Sequence, residues 1–279
     1  MKIYKKLLLI LGCIVIAVIL IVNIYWFPTP ERFPEENFRS PILIAHAGGA
    51  IDSFIYTNSK EALENAIKNE YKFIELDLVV TNDNNIAAAH SFQDFNEFTG
   101  HTPIDSAISS VDFKNRRLFG YLHPLLSEDI NKLFSMNKDV LLVTDKIRDF
   151  DLINESLDIE RERMLVEVFT YTSYAEALRK GIKYPMLSIW NEELLNHYMR
   201  YIYLRKVRMI VIPHDLVYTC PDKLKKLHEK GVAIFVYAIN NPSETNNKDF
   251  ILKYGGKIVT GFYTDSITYK DLRYTRNSP

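Results

Sequence analysis

Chemistry first shows in this sequence at Glu75 and Asp77, two carboxylates set two residues apart in the otherwise apolar run Phe73-Ile74-Glu75-Leu76-Asp77-Leu78-Val79-Val80. In a strand, residues two apart share a face, so both acids point one way while Ile74, Leu76 and Leu78 point the other. Like charges side by side on a buried face cost desolvation and repulsion unless a cation lies between them or the face opens to water. A bound divalent metal is the economical account, and a solvated strand edge is the bland one. The return run Ile86-Ala87-Ala88-Ala89-His90 follows Thr81-Asn82-Asp83-Asn84-Asn85, a polar, turn-forming link too short for a helix. The two runs should therefore fold back as a hairpin, which brings His90 level with Asp77.

The rest of the chain must supply a scaffold for these groups. Pro41-Ile42-Leu43-Ile44-Ala45 is a continuous apolar run ending in His46-Ala47-Gly48-Gly49, as a strand buried on both sides would. Asn58 then opens a helix, with Glu61 completing an approximate capping box and Ala62, Leu63, Ala66 and Ile67 on one face. Residues 91–124 show no clear period and read as a long loop. Helical runs near 127–136, 149–160, 172–180, 191–204, 221–230 and 243–254 alternate with strand-like runs 140–145, 164–169, 184–189, 208–212, 232–239 and 257–263. Counting the hairpin as one stave with an extension leaves eight strands alternating with helices. The expected fold is α/β, a (β/α)8 TIM-type barrel with a hairpin extension after strand 2. An open doubly wound sheet is the alternative, but no Gly-x-Gly-x-x-Gly turn follows the first strand. Barrel active sites lie at the carboxyl ends of the strands, so His46, Glu75, Asp77, His90 and Asp145 are expected at one mouth. Carboxylate oxygens suit a hard cation, Ca²⁺ or Mg²⁺, better than Zn²⁺.

The N-terminus carries a separate signal. Lys2, Lys5 and Lys6 precede the run Leu7 to Phe27, whose polar side chains are Asn23 and the amphipathic Tyr25 and Trp26. About 20 apolar residues cross a ~30 Å hydrocarbon core, and Tyr25-Trp26 fall where an interfacial aromatic belt belongs. The expectation is one transmembrane helix preceding the barrel, with the lysines holding the N-terminus in the cytoplasm and the rest of the chain on the outer side of the cell membrane. A cleaved signal peptide is the rival, but the run is long for one and no small-x-small site follows it. Leu11-Gly12-Cys13 resembles a lipoprotein processing site, yet the chain stays apolar beyond it. Residues 1–27 thus read as cytoplasmic stub and anchor, 28–40 as a stiff polar spacer with Pro28, Pro30 and Pro34, and 41–279 as the barrel domain.

Composition excludes some classes. With 34 Lys+Arg against 35 Asp+Glu the net charge is -1, and the one basic cluster, Arg205-Lys206-Val207-Arg208, reads as a solvated helix end, so no nucleic-acid partner is expected. Cys13 and Cys220 are far apart and predict no internal disulfide. Nothing points to an obligate protein partner.

With these residues in order, the chain resembles the glycerophosphodiester phosphodiesterase family. The resemblance runs through Ala45-His46-Ala47-Gly48-Gly49, Thr57-Asn58-Ser59, Glu75-Leu76-Asp77 with Thr81-Asn82-Asp83, His90, Thr144-Asp145-Lys146, Val236-Tyr237-Ala238-Ile239-Asn240 and Gly261-Phe262-Tyr263-Thr264-Asp265. It implies a barrel enzyme that cleaves phosphodiesters, with His46 and His90 as general acid and base. Glu75, Asp77 and Asp145 would bind one divalent cation, and Lys146, Tyr237 and Asn58 would contact substrate. The chain departs from the family's usual pattern at Ala47, where an Arg is usual, at Thr57-Asn58-Ser59 for Glu-Asn-Thr, at Thr144-Asp145-Lys146 for Glu-x-Lys, and at His90-Ser91 for His-Asp. Lys146 could replace the missing phosphate-binding charge or be a surface residue. The expected substrates are lipid headgroups or a glycerol-phosphate envelope polymer. Two rivals stand beside this reading: a metal-independent phospholipase C-like barrel, which should carry an Arg where the cation would sit, and a membrane-tethered barrel that only binds.

Overall fold

The computed structural model describes residues 2–26, 28–237 and 247–274. Nine strands are present: β1 (Ile42–Ala45), β2 (Phe73–Val80), β3 (Ile86–Ala88), β4 (Leu141–Asp145), β5 (Met164–Val168), β6 (Tyr184–Ser188), β7 (Met209–Pro213), β8 (Ala233–Tyr237) and β9 (Gly261–Thr264). The helices are α1 (Lys2–Trp26), α2 (Lys60–Lys68), α3 (Phe92–Phe98), α4 (Ser110–Asn115), α5 (Ser127–Met136), α6 (Phe150–Ser156), α7 (Tyr171–Arg179), α8 (Glu192–Arg205), α9 (Asp215–Thr219), α10 (Pro221–Glu229), α11 (Asn247–Tyr254) and α12 (Tyr269–Tyr274).

Eight of the strands run parallel in the order β1-β9-β8-β7-β6-β5-β4-β2, and β1 pairs back to β2, which closes the barrel. β3 lies antiparallel to β2, as the hairpin reading expects. The strands are short and apolar because both faces are covered. Ile74, Leu76, Leu142, Val166, Ile210 and Ile234 pack outward against the helices, while Ile44, Phe73, Val143, Leu165, Met186, Val211 and Phe235 fill the interior.

Two local expectations are corrected. Residues 91–124 are not a plain loop: α3 and α4 lie within them, and Phe92, Phe95, Phe113, Leu118 and Leu122 form a small core of their own under the hairpin with Ala87 and Ala89. Phe92, Phe95 and Phe98 do stand three apart on α3, but helices of seven and six residues are too short for a helical period to show in the sequence. The first barrel helix is capped by Ser59, whose hydroxyl accepts from Ala62 N–H at 3.2 Å, and not by Asn58.

The stretch expected to be a spacer is also corrected: it is packed onto the barrel. Phe33 is 2% exposed and closes the end of the barrel where the strands begin, its ring centroid 5.9 Å from that of Phe73 and 5.4 Å from that of Tyr184. In α1, the described side chains run from Tyr4 to Val18, and Leu7, Leu8, Leu9, Ile10, Leu11, Ile14 and Ile16 are all exposed. Among the described residues no helix is long and apolar enough to cross a membrane. The second half of the expected span, from residue 19 to Phe27, lies outside the residues whose side chains are described.

Candidate active site

At the end of β1 the chain tightens into a single turn of 3-10 helix, His46–Gly48, with Gly48 and Gly49 both in the left-handed region at φ 85° and 86°. Glycine takes that conformation without strain, and at Gly48 a Cβ would sit 3.2 Å from Ala62 Cβ, so the turn also lies close on α2. The turn aims two groups at the site. Ala47 N–H donates to Glu75 Oε2 at 2.6 Å, and the His46 ring is oriented by Asp265, with Nδ1 3.1 Å from Oδ1.

The parallel pairing of β2 with β4 sets Asp77 directly beside Asp145, and Glu75 beside Val143. One oxygen from each of Glu75, Asp77 and Asp145 lies within 4.8 Å of the other two. Glu75 and Asp77 are each 4% exposed. Burial, followed by the charge of Asp77, holds the carboxyls of Glu75 and Asp145 well above the usual carboxylate range. Asp145 Oδ1 is buried with no hydrogen-bond partner. Convergent hard oxygen donors with an unpartnered buried carboxylate oxygen among them fit a Ca²⁺- or Mg²⁺-type ligand set.

Asp77 is the best supported of the three. Asn58 spans it, donating from Nδ2 to Oδ2 at 3.0 Å and accepting Asp77 N–H on Oδ1 at 2.9 Å. This corrects the expected role of Asn58: it is fully buried, does not line the cavity, and orients Asp77 instead of meeting a substrate. Lys146 Nζ lies 2.7 Å from Asp77 Oδ1 and donates to the His90 carbonyl at 3.0 Å. It is not the surface residue of one sequence reading: it lines the cavity, paired with Asp77.

These groups line one cavity of about 410 Å³ that takes in His46, Glu75, Asp77, His90, Asp145, Lys146 and Tyr237. His90 stands just past Ala89, whose N–H donates to the Asp77 carbonyl at 2.9 Å, so the hairpin does carry it to the carboxylates. Its Nδ1 is 2.6 Å from Asp94 Oδ2 on α3. Both histidines therefore present the same arrangement, a ring held at Nδ1 by a carboxylate, which sets the tautomer. Tyr56, Phe169 and Trp190 add an aromatic wall, and Tyr56 meets the His46 ring edge-on at 4.7 Å.

Besides that aromatic wall, three acids of the site were given no role by sequence reasoning. Glu167 reaches the cavity from β5, its carboxyl raised chiefly by burial, and accepts from Tyr263 Oη at 3.2 Å. A lone acid in the apolar run Met164-Leu165-Val166-Glu167-Val168 was a legible signal, the same one that singled out Glu75. Asp94 left no such mark, because it lies in a polar segment where an acid is ordinary, and Asp265 was marked only as the end of Gly261-Phe262-Tyr263-Thr264-Asp265, with nothing in the sequence to pair it with His46.

No family sequence model matches the chain, and no curated protein does. Solved structures do. A glycerophosphodiester phosphodiesterase from Thermotoga maritima superposes with a TM-score of 0.63 at 18% identity, covering 86% of this chain and 100% of that one. The structural neighbours of this chain include other glycerophosphodiester phosphodiesterases. Another, from Parabacteroides distasonis, gives 0.65 at 19% identity over 86% of this chain and 100% of its own. A phosphodiesterase from Oleispira antarctica, solved in complex with the product sn-glycerol-3-phosphate, gives 0.67 at 13% identity over 88% and 99%. At these identities the likeness establishes the fold shared with the glycerophosphodiester phosphodiesterases, over nearly the whole of each of these chains.

Proposed function

We propose that this protein is a divalent-cation-dependent phosphodiester hydrolase acting on glycerophosphodiester-type substrates, with His46 and His90 as the acid–base pair. The observation that carries the reading is the coincidence, in one cavity, of two carboxylate-held histidines with the Glu75, Asp77 and Asp145 cluster. The shared fold and the bound product of the Oleispira antarctica enzyme support the same substrate class.

A cation held by Glu75, Asp77 and Asp145 would supply Lewis-acid stabilisation of charge developing on a phosphoryl oxygen. The protein's own side chains do the rest. One histidine takes the proton of the nucleophile and the other protonates the leaving alkoxide, each through the ring nitrogen away from its carboxylate partner. Ala47 N–H and Asn58 hold Glu75 and Asp77 in place, so that neither must reorganise during the reaction. The aromatic wall of Tyr56, Phe169 and Trp190 can cover the alcohol portion of a substrate.

We also propose that α1 anchors the barrel on the outer side of the cell membrane, supported by the lysine-flanked apolar sequence and the exposed leucines and isoleucines of its described half. A metal-independent reading draws on Lys146, an ammonium already beside Asp77. Yet one ammonium balances one charge of three, and Asp145 Oδ1 stays unpartnered beside it. The deciding experiment is an assay of the full chain in detergent on glycerophosphodiesters, with chelator and then with calcium or magnesium restored. Turnover that survives chelation favours the lysine, and no turnover under any of these conditions favours the binding barrel.

A further inference from the structure

We infer that the floor of the barrel, and not its mouth, is held against the anchoring bilayer, so that the site takes glycerol-phosphate diesters presented away from that membrane and not the headgroups of the lipids around α1. This rests on the anchored-phosphodiesterase reading above and narrows its substrate class.

The geometry lies in the residues between α1 and β1. Phe33 enters the barrel interior from below, its ring packed edge-on against Phe73 and Tyr184, the first residues of β2 and β6, and against Phe235 in the middle of β8. Polar contacts fasten the same segment across the floor. Glu31 pairs with Lys183 at 3.1 Å, and Glu35 accepts from Thr260 Oγ1 at 3.0 Å, and both partners immediately precede a strand. Pro30 is already buried. Since α1 ends at Trp26, only residues 27–29 separate it from the docked segment. At ~3.3–3.6 Å per residue they reach about 10 Å.

The functional groups stand at the other end, where His46 follows the last residue of β1, β4 ends in Asp145, and Asp77 of β2 pairs beside it. Along the wall between the two ends runs α8, whose 14 residues at ~1.5 Å rise make about 21 Å. A tether of about 10 Å rooted in the floor cannot follow the wall to its top, so the mouth cannot be turned onto the bilayer that holds α1. The diesters within reach are those free in solution or carried on a polymer, two sources of one chemistry.

The test uses the full chain, with Cys13→Ser removing the exposed thiol, reconstituted into vesicles of phosphatidylglycerol and phosphatidylcholine; Cys220 is buried. A fluorophore is placed at Lys138→Cys, ahead of β4 on the floor side, or at Glu193→Cys, after β6 on the mouth side, and energy transfer to a headgroup-labelled acceptor is read. Strong transfer from position 138 and weak transfer from position 193 is expected, and the reverse order overturns the orientation whatever the enzyme's activity. In the same vesicles, release of glycerol from soluble glycerophosphoglycerol or from a poly(glycerol phosphate) chain should exceed release from the vesicle's own phosphatidylglycerol at least tenfold, and the two soluble arms tell which source is used. Comparable release from the bilayer lipid overturns the inference. The failures of the parent reading look different: protein that does not float with the vesicles removes the anchor and the inference with it, while an intact label order without turnover of any diester removes only the activity.

Discussion

Lys146 Nζ sits 2.7 Å from Asp77 Oδ1, placing a fixed positive charge at the rim of the carboxylate cluster where a cation would bind. Replacing it with methionine should remove a like charge from beside the cation. Affinity for calcium or magnesium should rise about tenfold, ~1.4 kcal/mol, while turnover falls. Calorimetric titration of the Lys146→Met variant checks this, and weaker binding would mean that Lys146 serves to hold Asp77 in position.

Asp145 is the carboxylate of the proposed ligand set whose neutralisation should help the metal-free fold, because its Oδ1 is buried and unpartnered whereas Asp77 is paired with Lys146 and Asn58. Burial and the charge of Asp77 raise its folded-state pKa. Between the unfolded value near ~4 and that raised value the folded protein binds more protons than the unfolded chain, so this group's contribution to stability falls as pH rises through the window. Asp145→Asn should therefore melt above wild type in chelator, by an amount that grows with pH, at about 1.4 kcal/mol per unit of elevation. Saturating cation should reverse the order, since it stabilises wild type by about 2.7 kcal/mol at a hundredfold excess over Kd and the variant by much less. Parallel melts across pH decide it, and a wild-type melt that no cation moves would make the cluster a solvated rim.

His46→Ala and His90→Ala should each lower kcat by ~10²–10⁴ with the fold intact, the usual worth of a positioned proton donor or acceptor. Steady-state rates beside a circular-dichroism melt test both parts. A variant that keeps more than about a tenth of wild-type turnover, well outside that range, removes its histidine from the chemistry.

Phe33→Ala should separate stability from chemistry. The ring is 2% exposed inside the barrel floor, far from the mouth. Its loss should cost about 3–5 kcal/mol, as for other buried Phe→Ala changes, with KM and kcat unchanged below the lowered Tm. An unaltered melt would show that the floor closes without it. By the same argument, truncation at residue 40 should be less stable than truncation at residue 28.

How much of this was legible beforehand depended on the range over which each feature is encoded. Strand alternation is local, so the sequence alone determined that Glu75 and Asp77 share a face, that His90 returns to them on a hairpin, and that eight strand–helix units close a barrel. Inter-strand register and side-chain partnership are not local. Only the folded chain set Asp77 beside Asp145, turned Asn58 inward to grip Asp77, and put Asp94 and Asp265 behind the two histidines. The same holds for residues 28–40. Prolines and acids there read as a stiff spacer, because composition reports how a segment behaves in water and not what it meets. Whether Phe33 is a solvated ring or the plug of a barrel was decided by the hollow that Phe73, Tyr184 and Phe235 leave between them, three residues brought together only when the barrel closes.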